Sequence, residues 1–154
     1  MPKLRPLPIR TKNVPYLIAL WRWITSIRKW EVLEEWSYIL PDNTQVVIPG
    51  GFVFDGASIP RLFWSILSPV GLLLIPGLIH DYAYKFDELL SRNSAGELEN
   101  YMENAGRHYW DRLFRDVAIQ VNGFWVINHI AWLALVAFGC FAWNSSRKAE
   151  SNAS

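Results

Sequence analysis

Two short stretches of the chain place ionisable side chains inside apolar sequence. The first is GFVFDGASIPR, residues 51–61, where Asp55 lies among phenylalanine and glycine, and the second is LIHDYAYK, residues 78–85, with His80 and Asp81. A polar group buried without a partner costs about 1–3 kcal/mol. These side chains must therefore pair with one another, with a metal ion or with water, which makes them the first candidates for chemistry.

The second stretch has the spacing of a catalytic base on a helix. His80 and Tyr84 are four residues apart and share one helical face, whereas Asp81 points to another. Asp111 lies on an apolar stripe of the next predicted helix, and two antiparallel helices would bring it to His80. A carboxylate on one ring nitrogen leaves the other as a general base. We predict His80, Asp111 and Tyr84 as catalytic residues, with Asp81 as a ligand of a hard cation.

The same residues also have a purely structural interpretation, which spacing alone favours. Arg107 and Arg115 flank Asp111 at four residues on either side, so Asp111 would be an ion-paired surface residue. His80 and Asp81 would then satisfy backbone groups. A further alternative is a four-ligand metal cluster: His80, Asp81, His108 and Asp111.

The first stretch has a structural explanation of its own. An Asp-Gly pair favours a turn in which Asp55 accepts backbone N–H groups. Ser58, followed by Pro60, is typical of a helix start, and Arg61 would pair with Asp55 or bind a phosphate. We predict Asp55, Ser58 and Arg61 as structural or supporting residues, and the functional alternative for Asp55 is an extra ligand or polarising group at the His80 site.

The elements that must position these residues follow from turn signals and apolar runs. The turn signal PDNT lies between Glu35–Leu40 and Gln45–Pro49 and predicts a β-hairpin, which residues 52–54 extend. Helices are predicted over four segments: Pro15–Trp30, the stretch after Ser68–Pro69 that carries His80, about Ala95 to Asn122, and the tryptophan-rich run after Gly123. The Ser94/Glu97 capping pattern sets the start of the third.

These elements predict an α+β fold, an N-terminal β-hairpin segment followed by a bundle of three or four helices. We expect an N-terminal arm and apolar helix over residues 1–30, a single α+β domain over 31–143, and a disordered tail over 144–154.

Charge and composition narrow the classes of partner. The chain of 154 residues has 15 basic and 14 acidic residues, so no nucleic-acid partner is expected. Nine tryptophans suit a membrane interface, a protein partner or a ring-rich core. Residues 124–143 approach the length of a membrane span but include Asn128 and His129, which favours a helix that is buried or docked on the domain. The sequence does not indicate an oligomeric state.

The motifs IPGGFVFDGASIPR, HDYAY and WDRLF occur in this order. Together they resemble a family of phage and prophage proteins known only as a domain of unknown function, number thirteen-fifty-three. The match covers roughly residues 35–140. The resemblance implies a phage-encoded protein in the virion or the infected bacterial cell, and it carries no established activity.

The H-D-x-x-Y helix is also similar to that of secreted phospholipases A2. That resemblance implies that His80 activates water and that Asp111 orients it. It further implies that Asp81 holds Ca²⁺ together with carbonyl groups of a glycine-rich loop, here PGGFVFDG.

Two functions from different classes follow. The sequence favours a virion or host-interaction component that binds a membrane, or a phage or host protein, through tryptophan-rich helices, because the closer resemblance carries no activity. The alternative is a phospholipase A2-like hydrolase that uses a His80/Asp111 dyad with Asp81 as metal ligand. Ca²⁺ is the one candidate cofactor.

Overall fold

The computed structural model describes residues 1–7, 15–18, 29–54 and 72–151. It confirms the α+β fold, with N-terminal antiparallel strands followed by helices. The first sheet has the order β1-β2-β5 and the second the order β3-β4-β6-β7. The strands are β1 (Leu4–Pro6), β2 (Trp30–Val32), β3 (Trp36–Ile39), β4 (Gln45–Ile48), β5 (Val53–Phe54), β6 (Leu89–Arg92) and β7 (Leu98–Tyr101).

The predicted hairpin is present as β3 and β4, with Trp36 opposite Ile48. Its turn follows from the PDNT sequence. The Asp42 carboxylate accepts the Thr44 backbone N–H at 2.9 Å, and Asn43 has φ of 67°, a left-handed conformation that asparagine tolerates. β4 is buried over residues 46–48, so this hairpin supplies part of the core under the helices.

Residues 52–54 were predicted to extend the β3–β4 hairpin, but they pair with a strand of the other sheet. Gly51 has φ of 85°, and the chain turns there away from β3 and β4. β5 pairs with β2 instead, with Trp30 opposite Phe54. The glycine conformation thus moves the chain from the second sheet to the first.

The helix predicted from Ala95 was wrong in its first part. Residues 89–101 form the hairpin β6–β7, and the helix begins only at Arg107. The Asn93 side chain accepts the backbone N–H groups of Ala95 and Glu97, and Gly96 has φ of 85°. These contacts stabilise a tight turn in place of the helix start that Ser94 and Glu97 suggested.

Two helices carry the candidate residues. They are α1 (Leu74–Phe86) and α2 (Arg107–Asn122). Asp87, after α1, accepts the backbone N–H of Gly106, before α2, and Asn122, at the end of α2, donates to the Leu72 carbonyl. The end of each helix therefore lies beside the start of the other, so the pair is antiparallel as predicted.

Gly123 ends α2, as the sequence indicated, with φ of 70° and its N–H bonded to the Ile119 carbonyl. The third helix, α3 (Trp125–Ser151), follows at once and packs on α2 and α1. It includes most of the segment 144–154 that was expected to be disordered. Cys140, the only cysteine of the chain, is half-buried on α3.

Two further expectations concern helices and membranes. The helix predicted over Pro15–Trp30 is wrong at its end, because Lys29 is not helical and Trp30 begins β2. Residues 16–18 are helical, and residues 19–28 lie outside the described ranges. In the described part of the chain, no helix is both long and apolar enough to cross a membrane.

Candidate functional site

The candidate site lies between α1 and α2, where the buried faces of both helices carry polar side chains. His80 and Tyr84 project from successive turns of α1, and Asp111 lies on the α2 face that also buries Phe114 and Ala118. His80 is 6% exposed and Asp111 is fully buried. A carboxylate in such a position must find charged or hydrogen-bonding partners, and the facing helix provides them.

One carboxylate oxygen of Asp111 joins the other two residues. His80 Nε2 lies 3.1 Å from Asp111 Oδ1, and the Tyr84 hydroxyl donates to the same oxygen. The two rings on α1 pack against each other with centroids 4.0 Å apart. Because an ionised carboxylate only accepts hydrogen bonds, we assign the imidazole proton to Nε2, which leaves the Nδ1 lone pair free to accept a proton.

The second oxygen of Asp111 faces a guanidinium group. Arg107 Nη1 lies 3.8 Å from Asp111 Oδ2, an ion pair too long for a hydrogen bond. Among the described residues, Oδ2 has no hydrogen-bond partner. The interpretation of Asp111 as a surface residue is wrong, since it is fully buried, and Arg115 pairs with Asp116 instead, at 2.7 Å.

Burial and the carboxylate of Asp111 shift the pKa values of His80 and Tyr84. Burial lowers the pKa of His80, but the hydrogen bond to Asp111 and the negative charges of Asp81 and Asp111 outweigh it, so the net shift of the pKa is upward. Burial, and then the hydrogen bond to Asp111, raise the pKa of Tyr84. Tyr84 therefore stays a neutral donor, and His80 is a stronger base than an exposed histidine.

Asp81 lies on the other side of the imidazole. Its Oδ1 is 4.0 Å from His80 Nδ1, and its side chain is 19% exposed. Within the described ranges, no group of three or more His, Cys, Asp or Glu residues is placed to hold a metal ion. His108 is exposed on α2 and has no place in the His80–Asp111 cluster. The role of Asp81 as a ligand of Ca²⁺ stays a prediction.

The residues predicted from the first motif fall outside the described ranges. Asp55, Ser58 and Arg61 all lie within residues 55–71. Their roles as turn, cap and supporting residues therefore stay predictions.

Two polar contacts that position the helix pair were missed by sequence reasoning. Asp87 has φ of 53° at the end of α1 and accepts Trp110 Nε1 at 2.6 Å. Asn128 is fully buried on α3 and exchanges two side-chain hydrogen bonds with Asn122. The available signals were an acidic residue at the end of a predicted helix and an asparagine inside an apolar run.

Fold and site together define a small α+β protein in which two antiparallel helices hold a buried His–Asp–Tyr network. Residues 30–134 match the model of a family described as "Protein of unknown function (DUF1353)", and the chain belongs to that family.

A curated relative is the "Uncharacterized protein y4jT" of Sinorhizobium fredii (strain NBRC 101917 / NGR234). It is 36% identical over 73 residues, which is 46% of this chain and 21% of the relative. The chain thus matches about a fifth of that protein's length. No solved structure matches the chain.

Proposed function

We propose that the chain is a hydrolase of ester bonds at a lipid surface, with His80 as the general base. The observation that carries the proposal is the contact of Asp111 Oδ1 with His80 Nε2, 3.1 Å long, because it directs the basic lone pair of the ring to Nδ1. We put the hydrolase before the binding protein that the sequence alone put first, because this contact supports a general base.

The proposed reaction uses both sides of the imidazole. His80 Nδ1 takes a proton from a water molecule, and the resulting hydroxide attacks the ester carbonyl. The imidazolium returns that proton to the leaving alcohol, so an acid and an alcohol are the products. Asp111 keeps its negative charge throughout and stabilises the imidazolium, as in other carboxylate–histidine pairs.

Access to the base is expected from the side of Asp81. Asp81 is 19% exposed, whereas Asp111 on the opposite side of the ring is fully buried. A substrate would therefore approach Nδ1 across Asp81. A cation bound by Asp81 would polarise the ester carbonyl.

Fatty-acid release from phospholipid vesicles tests the hydrolase, measured with Ca²⁺ and with a chelator. We expect release by the wild type and a loss of about 100-fold or more in His80→Ala, since general bases contribute about 10²–10⁴-fold. His108→Ala is the matched control, because His108 is an exposed histidine on α2, and it should keep the wild-type rate. Absence of release by the wild type, or activity that survives His80→Ala, would refute the hydrolase.

A second candidate function rests on the outer face of α3. Val126, Ile130 and Leu133 follow helical spacing and are each more than half exposed. Residues 124–146 contain no Asp, Glu, Lys or Arg, and Arg147 and Lys148 follow. A charge-free apolar stripe followed by basic residues fits a lipid surface with anionic headgroups. The expected virion or infected-cell location belongs to this proposal and rests only on the resemblance of the sequence motifs to phage and prophage proteins.

Co-sedimentation with phosphatidylglycerol vesicles tests the second function. The double variant Ile130→Glu, Leu133→Glu should lose vesicle binding, because it puts two charges on the stripe. Leu98→Glu is the control, since Leu98 is also about half exposed but lies on β7. If the wild type does not bind these vesicles, or the double variant binds as well as the wild type, lipid binding through α3 is refuted.

A further inference from the structure

Gly139 lies on the inner face of α3, directly against the candidate site. A Cβ atom at this position would lie 2.7 Å from the Tyr84 hydroxyl oxygen and 3.6 Å from its ring carbon Cζ. Carbon and oxygen atoms do not pack at 2.7 Å. The hydroxyl that bonds Asp111 therefore occupies the space that any side chain at residue 139 would need.

The backbone of Gly139 does not explain the glycine. It is within a helix, where glycine is less favourable than alanine by about 1 kcal/mol, and it is buried. Gly51, by contrast, needs its positive φ of 85°. Residue 139 requires glycine because the Tyr84 hydroxyl leaves no space for a side chain.

Two further contacts join α3 to the same network. Arg107 Nη1 donates to the Val136 carbonyl at 3.0 Å, and this nitrogen is the one that faces Asp111 Oδ2 at 3.8 Å. The Trp143 ring meets the Tyr84 ring edge-on, with centroids 5.2 Å apart. The position of α3 thus determines where the tyrosine and the guanidinium lie.

We propose that α3 is the element that positions the His80–Asp111 dyad and that Gly139 is its positioning residue. The missing side chain leaves the volume in which the Tyr84 hydroxyl reaches Asp111 Oδ1, and this bond holds the carboxylate against His80 Nε2. The inference rests on the proposed function in so far as the dyad is catalytic, but its first tests need no activity.

A double-mutant cycle tests the steric step. In Gly139→Ala the methyl group displaces the Tyr84 hydroxyl, and we expect Tm to fall by about 4 °C or more. Tyr84→Phe removes the hydroxyl, so the methyl group then meets ring carbon at 3.6 Å, an ordinary contact. In the Tyr84→Phe background, adding Gly139→Ala should therefore leave Tm unchanged or raise it, since alanine favours the helix.

Equal losses of Tm in the two backgrounds would overturn the inference. If Gly139→Ala does not fold at all, the double variant still decides: a folded double variant supports the steric step, and an unfolded one contradicts it.

A second readout separates positioning from stability alone. An NMR titration of the His80 imidazole should show a lower pKa in Gly139→Ala than in the wild type, because Asp111 is no longer held against the ring. Ala137→Gly is the matched control. It weakens the same helix at an exposed residue and should lower Tm without moving the His80 titration. An unchanged titration in Gly139→Ala contradicts the inference.

The outcomes also separate this inference from the proposed function. If the His80 pKa is lower in Gly139→Ala but the wild type releases no fatty acid, the role of α3 in positioning the dyad is supported and the hydrolase is refuted. If the wild type is active and Gly139→Ala keeps the full rate with an unchanged His80 pKa, the hydrolase is supported and the positioning role of Gly139 is refuted.

Discussion

Replacing Asp111 by asparagine removes the charge at the centre of the site and changes little else. Asparagine keeps an acceptor oxygen where Oδ1 accepts from Tyr84 and lies 3.1 Å from His80 Nε2. Its amide nitrogen takes the place of Oδ2 and faces Arg107 Nη1, 3.8 Å away, so two donors meet. We therefore expect Asp111→Asn to fold with both inner hydrogen bonds present and the ion pair lost.

The magnitude follows from the number and type of these bonds. A hydrogen bond to a charged group contributes about 1.5–3 kcal/mol and a neutral one about 0.5–1.5 kcal/mol. Converting two bonds from the first kind to the second lowers the free energy of unfolding by about 2–3 kcal/mol. Asp111→Ala removes both bonds and leaves a cavity, and it should cost about 3–5 kcal/mol.

Urea unfolding of the three proteins measures these differences, and an NMR titration of His80 accompanies it. The His80 pKa should fall in Asp111→Asn, because a charge that raises it is gone while burial, which lowers it, remains. Asp116→Asn is the control, since this α2 carboxylate is 43% exposed and paired with Arg115; it should change stability by less than about 1 kcal/mol.

Two results would refute the reasoning about Asp111. If Asp111→Asn is as unstable as Asp111→Ala, the geometry of the two inner hydrogen bonds is not retained by the amide. If the His80 pKa does not move, Asp111 is not the charged partner of the imidazole.

Three further outcomes test the surroundings of the site. The pKa of His80 in the folded protein lies above 6.5, so the stabilisation that protonated His80 contributes is complete below pH 6.5 and is lost as pH rises through the folded pKa. The Tm difference between wild type and His80→Gln should therefore be larger at about pH 5.5 than at about pH 9. An equal difference at the two pH values contradicts this. Asp87→Ala should lower the free energy of unfolding by about 2–4 kcal/mol in urea, because the N–H groups of Trp110 and Gly106 lose their acceptor, whereas Asp87→Asn should cost less. Asn128→Ala should cost about 1–3 kcal/mol in the same assay, since it removes the partner of Asn122; a neutral result would mean that water replaces the amide.

The contact between the two helices could be predicted from sequence because it depends on helical periodicity. His80 and Tyr84 recur at a spacing of four, and Asp111 follows the apolar period of α2, so their faces are determined by local geometry. The burial of Asp111 was harder to predict. Flanking arginines at a spacing of four look the same in sequence whether the helix face is exposed or packed.

The second hairpin could not be predicted from local signals alone. Ser94 and Glu97 have a helix-start pattern, yet β6 pairs with β4, with Ser91 opposite Val46, and this long-range pairing is absent from any local window. The left-handed residue Asp87 was missed for a related reason. Its partner Trp110 is 23 residues away in sequence.

The rate at which a reagent labels Cys140 can report on the packing of α3. It follows Gly139 directly, is half-buried, and is the only thiol in the chain, so a labelling reagent reports on a single position. If the helix leaves α1 and α2 transiently while the rest of the domain stays folded, the thiol becomes fully exposed, so variants that loosen α3 should label faster than the wild type. Closure of the site can then be followed in the native state, without denaturant and without knowledge of the substrate.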